Sequence, residues 1–262
     1  MKPLYIEASP AAAVRLDGSA LHVCRPECAP VVIGLRNVSQ IIASGRTRFT
    51  STALEGCMRN GISIVFLDRT GQVEGFLHGL RSKRGHLPMR LSELFGLPNG
   101  ARIYRAWWKA MENRRRCRLA KRLRVSPDRH PMRNLKAAMH RARLQRAPEA
   151  IVTALYDRWH SGTIAVAQQL AQDEGFNAAW QRRMWPRCDL VADLAALVEW
   201  ELFLPSLTEL SYLGRMQKAG VPEPMLRARI LARFETHRPA LLECGAGLLQ
   251  RLDLRLMELG LV

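Results

Sequence analysis

At 262 residues with 48% apolar side chains, the chain is long enough for one large domain or two small ones and has ample material for a packed core. Its formal charge of +17 points to a polyanionic partner, with nucleic acid ahead of an anionic membrane surface. Several classes are disfavoured: the longest uncharged stretch, Trp159–Gln172, holds His, Ser, Gly, Thr and Gln and is no membrane span, MKPLYIEASP lacks the apolar run of a signal peptide, and six scattered cysteines suit reduced thiols in a cytoplasm better than a disulfide framework.

In chain order, residues 1–80 read as β-rich. LYIE, AAVRLDG, LHVCR and PVVIGL are short runs with β-branched residues, set apart by turn formers such as Asp17-Gly18 and Pro26. VSQIIASG follows, and TSTALEGCMRNG predicts one short helix, capped by Ser51 or Thr50 and ended by Gly61. ISIVFLD is an apolar strand, and Arg69-Thr70-Gly71 turns it into QVEGFL. Residues 81–98, where Ser, Gly and Pro accumulate, predict a linker. From Arg102 the period becomes helical. ARIYRAWWKAMENRRRCRLAKRLRV predicts one long helix with Ile103, Trp107, Met111 and Leu119 on a buried stripe, ended by Ser126-Pro127. Residues 131–145 predict a basic helix, and Pro148 opens PEAIVTALYDRW, which His160 closes. GTIAVAQQLAQDEG, DLVADLAALVEWELFL and a Leu-rich C-terminal series complete the helices. The expectation is an α+β chain: a small N-terminal β domain with one short helix at 1–80, then an all-α domain at 99–262.

The charge is concentrated. Residues 76–148 hold 20 Lys and Arg against Glu93, Glu112 and Asp128, a net of +17, whereas 1–75 carry +2 and 149–262 carry −2. Arg114, Arg115, Arg118, Lys121 and Arg122, with Arg116 and Arg124, fill little more than three helical turns with one sign of charge, and are candidates for phosphate contact. Trp108 beside them can stack on a base or pack. Asp189 and Asp193 stand one turn apart on a stripe that continues into Ala196, Leu197 and Trp200. Carboxylates entering an interior need donors or a cation. Asp189 suits a helix start; Asp193, a turn further in, is the better candidate for a metal or catalytic role. Glu149, in a first helical turn, and His160 are further candidates, each with an ordinary helix-end explanation. Cys24 and Cys28 lack a second ligand pair for zinc.

The run GRTRFTSTALEGCMRNGISIVFLDRTGQVEGFL, followed by a basic helical region, resembles the CRISPR-associated integrase that inserts new spacers into CRISPR arrays. The likeness rests on Gly45, Thr50, Ser51, Ala53, Leu54 and the strand Ile62–Asp68. The resemblance implies a β domain that dimerises, DNA as partner, a small adaptation protein as a further one, and a Glu, a His and an Asp binding Mg²⁺ or Mn²⁺ for phosphodiester chemistry. Glu149, with Thr153, Ala154 and Tyr156, is similar to the family's Glu-containing helix. Asp193, with Arg187, Leu190 and Leu194, is similar to its Asp-containing run. The family's His is expected in GFNAAWQRRMWPRC, which has none, and His160 is the substitute considered. Two readings therefore stand: a metal-dependent endonuclease or integrase with Glu149, His160 and Asp193, and a non-catalytic DNA-binding protein on the same scaffold that has lost the metal site.

Overall fold

The structure is a computed structural model. It describes every residue except 1, 8–11, 27, 46, 69, 78–85, 126–130, 178–179, 181–182, 185–186 and 262, and the side chains of 131–134. The β region comes first and helices follow, an α+β arrangement. The chain forms two compact units, Met1–Met89 with Gln168–Trp185, and Arg90–Ala167 with Pro186–Val262.

The first unit contains two four-stranded sheets. One has the order β1 (Lys2–Ile6), β5 (Val38–Ser44), β7 (Ser63–Leu67), β8 (Val73–Leu77), with β1, β5 and β7 parallel and β8 antiparallel. The other has the order β4 (Val31–Gly34), β3 (Ala20–Cys24), β2 (Ala13–Asp17), β6 (Arg48–Phe49). The two-residue β6, which no hydrophobic run announces, pairs in parallel with Ala13 and Val14. Ile6, Val14, Leu21, Ile41 and Ile64, all fully buried, form the core, and burial pushes the Cys57 thiol up to about 11. Helix α1 (Ser51–Arg59) starts as expected: the Thr50 hydroxyl accepts the Ala53 amide at 3.2 Å. Gly61, at φ 71°, ends it in the left-handed conformation that favours glycine. Asp68 organises the β7–β8 turn by accepting the amides of Thr70 and Gln72; Arg69 lies outside the described residues.

Where the sequence reads as a linker, Leu87–Gly96 forms helix α2. Leu87, Leu91 and Leu94, at i, i+4 and i+7, are all fully buried, so an apolar stripe overrides the turn-forming composition around it.

Helix α3 (Gly100–Arg122) is the long basic helix; the expected Ser126-Pro127 stop lies outside the described residues. Its first position must be glycine, because a Cβ at Gly100 would stand 1.7 Å from the Leu94 carbonyl oxygen. Helix α4 (Pro131–Leu144) follows, and α5 (Glu149–Asp173) then runs unbroken through His160, which the sequence reading places at a helix end. The Ser161–Gly162 pair does not break it: the Ser161 and Thr163 hydroxyls donate to carbonyls four residues back, and Gly162 packs under Phe234, whose ring atoms would lie 2.5 Å from a Cβ. The stretch read as one helix from Asp189 is α6 (Leu190–Glu199), a 3₁₀ turn (Trp200–Leu202) and α7 (Phe203–Lys218). A 36-residue helix, α8 (Glu223–Glu258), completes the fold. Among the described residues, no helix is long and apolar enough to cross a membrane.

Candidate active site and nucleic-acid face

The two carboxylates of the Asp189–Asp193 pair have separate tasks. Asp189 is the N-cap of α6, its Oδ1 accepting the Ala192 amide at 3.0 Å. Asp193, one turn on, points against α3. Its Oδ2 accepts the Tyr104 hydroxyl at 2.8 Å, and its backbone carbonyl accepts the Trp108 indole N–H at 3.4 Å. Trp108 is thus tied to α6, the packing alternative to stacking on a base. Tyr104 is 2% exposed and held by aromatic neighbours, with Phe95 at 5.5 Å and Trp107 at 6.2 Å between ring centroids. Arg187 donates to the Phe95 carbonyl and helps fix the chain leading into α6.

Desolvation dominates the titration of this cluster. Burial raises the Asp193 carboxyl above the usual range and the nearby Asp189 charge adds to it, against the opposing pull of the Tyr104 hydrogen bond and Arg105. Burial also raises the Tyr104 phenol well above its ordinary value, with the adjoining Cys188 and Asp193 contributing. Burial pushes the Cys188 thiol up to about 12. Tyr104 and Cys188 therefore keep their protons at neutral pH, and Tyr104 is a permanent donor to Asp193.

The other two candidates are placed elsewhere. His160 presents Nδ1 to Glu199 Oε2 at 3.2 Å, bridging α5 and α6. The hydrogen bond to Glu199 raises its pKa, burial opposes this, and Asp157 adds to the rise. Behind it, the Tyr156 and Ser206 hydroxyls share a hydrogen bond, and the Arg143 guanidinium lies 3.7 Å over the Tyr156 ring. Glu149 is exposed in the first turn of α5.

Glu149, His160 and Asp193 do not converge. Among the described residues, no group of three or more His, Cys, Asp or Glu side chains could hold a metal ion. A hard divalent cation takes ionised oxygen ligands in a shared shell. Here one Asp193 oxygen accepts from a phenol, its carboxyl favours the protonated form more than an exposed one does, and His160, whose Nδ1 meets Glu199 and whose Nε2 is left over, is not grouped with Asp193 and Glu149. Among the described residues, these three side chains do not form the shared shell that the Mg²⁺ or Mn²⁺ implied by the resemblance would need.

The basic run of α3 divides by exposure. Arg114, Arg118, Lys121 and Arg122 are exposed, and Arg118 stands 63% exposed although 3.6 Å from Glu201. Spacings of three and four residues put Arg114, Arg118 and Lys121 on one face. Arg115 does not join them. Its side chain is 10% exposed, donates to Cys244 Sγ at 3.3 Å and faces Glu201 at 3.9 Å, so it is an internal bridge to α8 and cannot reach a phosphate. Arg116 is likewise engaged, with Glu112 and over the Trp200 ring. Of the partners missed, Cys188, Glu199 and Arg143 have no signal of their own in the sequence. Tyr104 alone had a hint, standing at i−3 and i−4 from the Trp107-Trp108 pair.

No curated protein matches this sequence. Among solved structures, the chain is similar to a Cas1 protein from Thermotoga maritima (TM-score 0.73, 13% identity, covering 97% of both chains). It is also similar to TtCas1 in a complex with DNA (TM-score 0.62, 16% identity, covering 95% of this chain and 90% of that one). A casposase bound to its integration product follows (TM-score 0.58, 11% identity, 96% and 91%). At such identities the likeness is one of fold. Sequence itself supplies the family, since the model of the CRISPR-associated protein Cas1 matches residues 4–158, more than half the chain. The chain belongs to the Cas1 family of CRISPR-associated proteins.

Proposed function

We propose that this protein binds DNA in CRISPR adaptation through the exposed basic side chains of α3, and that Asp193 is a structural carboxyl and not a metal ligand. The observation that carries the second half is the Tyr104 hydroxyl on Asp193 Oδ2, which supplies from the protein a donor for a half-buried carboxyl. The first half rests on the one-signed charge of 76–148 and on Arg114, Arg118, Lys121 and Arg122 standing exposed. Each phosphate neutralised by such a side chain adds to affinity and to its salt dependence. The similar folds solved with DNA and with an integration product support DNA as the partner. The fold also resembles part of a Cas6-RT-Cas1–Cas2 complex, 35% of whose chain it covers, which supports a small adaptation protein as a further partner. Homodimerisation is proposed through the β unit, where β4 is a sheet edge carrying Val31 and Val32, 55% and 58% exposed.

A metal-dependent endonuclease or integrase acting on DNA phosphodiesters, with Glu149, His160 and Asp193 as its site, is the second reading. It is favoured by Asp193 holding the position of the family's Asp in a Leu-x-x-Asp-Leu run. The two separate in one experiment: wild type and Asp193→Ala are incubated with branched and integration-site DNA in Mn²⁺, and both binding and product are followed. Salt-sensitive binding by both proteins without product supports the first reading. Joined or cleaved product, lost in Asp193→Ala, supports the second.

A further inference from the structure

An open groove of about 590 Å³ runs between the N-terminal half of α3 and the end of α8. Its floor is apolar: Ile103, Ala106, Trp107, Ala110 and Met111 from α3, and Leu254, 51% exposed, from α8. Its rim is cationic, with Arg114, Arg251 and Arg255 against a single Glu258, which Arg255 already holds at 2.8 Å. Arg114 and Arg251 form no ion pair among the described residues.

We propose that this groove docks an amphipathic helix of a partner protein, one whose apolar stripe is flanked by Asp or Glu. Three features select that occupant. Ala106 and Ala110, one turn apart and exposed, leave room for a second backbone to approach closely. The surrounding side chains accept apolar anchors at i, i+3, i+4 and i+7. The arginines on the rim select carboxylates at the flanks of that stripe. A nucleic-acid strand fits less well. Five of the six floor residues are aliphatic, and Trp107 is half-buried with its ring tilted 33° against Tyr104, so it offers no free platform for a base.

The probe is a fluorescein-labelled peptide of roughly four turns, with Leu at i, i+3, i+4 and i+7 and Glu on both flanks. Its counterparts carry Lys for Glu, or Ser for Leu. The whole protein is titrated by anisotropy, alone and with single-stranded or duplex DNA as competitor. The expected result is saturable binding of the acidic peptide, at least about tenfold tighter than either counterpart. Ala110→Glu on the exposed floor weakens it at least about tenfold, with a smaller effect on duplex DNA exerted through the neighbouring Arg114. Arg251→Glu lowers affinity for the acidic peptide and raises it for the Lys peptide, a reversal that misfolding cannot produce. The proposal is overturned by absence of saturable binding, by binding indifferent to Ala110→Glu, or by single-stranded DNA displacing the peptide in proportion to its own binding. It is also overturned if the protein self-associates and Ala110→Glu abolishes that, which assigns the groove to a second copy. Arg114 lies both on the groove rim and on the proposed DNA face, but peptide and DNA binding are read separately, so failure of one is distinguishable from failure of the other.

Discussion

The Tyr104 hydroxyl and the Asp193 carboxylate, 2.8 Å apart, tie α3 to α6 at the point where a chain of this family is expected to hold a metal ligand. The bond predicts an asymmetry among variants. Tyr104→Phe and Asp193→Ala each leave a buried polar partner unsatisfied, and are expected to lower stability by about 1–3 kcal/mol in denaturant titration. Asp193→Asn keeps an acceptor and removes a half-buried charge. Because burial raises the folded carboxyl above its unfolded value, ionised Asp193 carries a cost at neutral pH that protonation relieves. Asp193→Asn is therefore expected to be at least as stable as wild type at neutral pH. The wild type should gain on it as pH falls through the raised folded pKa toward the ordinary carboxylate range. A large loss in Asp193→Asn at neutral pH would contradict this.

Charge reversal along α3 separates exposed from internal arginines. Glu at Arg114, Arg118, Lys121 or Arg122 is expected to weaken DNA binding across sequences, each reducing the salt slope by about 1. Arg115→Ala is expected to leave that slope alone and to lower stability by about 1–3 kcal/mol through loss of a nearly buried, hydrogen-bonded cation. Fluorescence anisotropy over a salt series, beside thermal melts, distinguishes the two classes.

His160 reports on Glu199. Its folded pKa is raised, so the pair adds stability that is fully present below the unfolded imidazole value and is lost as pH rises through the folded one. Glu199→Gln is expected to destabilise the protein in mildly acidic solution, with the difference closing as the pH is raised above neutral. The His160 ring proton shifts should titrate at lower pH in the variant, which an NMR titration reads directly.

These relationships mark what the sequence makes legible. The β elements other than β6 and α1 with its Thr50 cap follow from local alternation and caps, and of the expected α3 stripe Met111 and Leu119 are buried while Ile103 and Trp107 are half-buried. The helix start at Asp189 is of the same kind. Helix α2 was hidden because Gly and Pro around it outweigh a three-leucine stripe, and the continuity of α5 because Gly162 looks like a stop until Phe234 is known to lie over it. Side-chain partners more than one helix away leave no local trace: Tyr104 is 89 residues from Asp193, His160 is 39 from Glu199, and Arg115 is 129 from Cys244. The division of the arginine run into exposed and internal members depends on those partners, and composition treats them alike.

Gly162 offers a packing test. Gly162→Ala forces a methyl group against the Phe234 ring and is expected to cost about 1–3 kcal/mol by overpacking, despite the higher helix propensity of Ala. Gly247→Ala in α8, where a Cβ meets nothing within 4 Å, should be neutral or stabilising by up to about 1 kcal/mol. Chemical denaturation of the two variants in parallel gives the contrast.

Strand joining and binding measured together on one integration-site DNA, for wild type and Asp193→Asn in Mn²⁺, decide whether Asp193 is a structural carboxyl or a metal ligand. A structural Asp193 gives equal, salt-sensitive affinity for the two proteins and no joined or cleaved product from either. Product formed by wild type and abolished in Asp193→Asn would contradict it and restore Asp193 to a metal site.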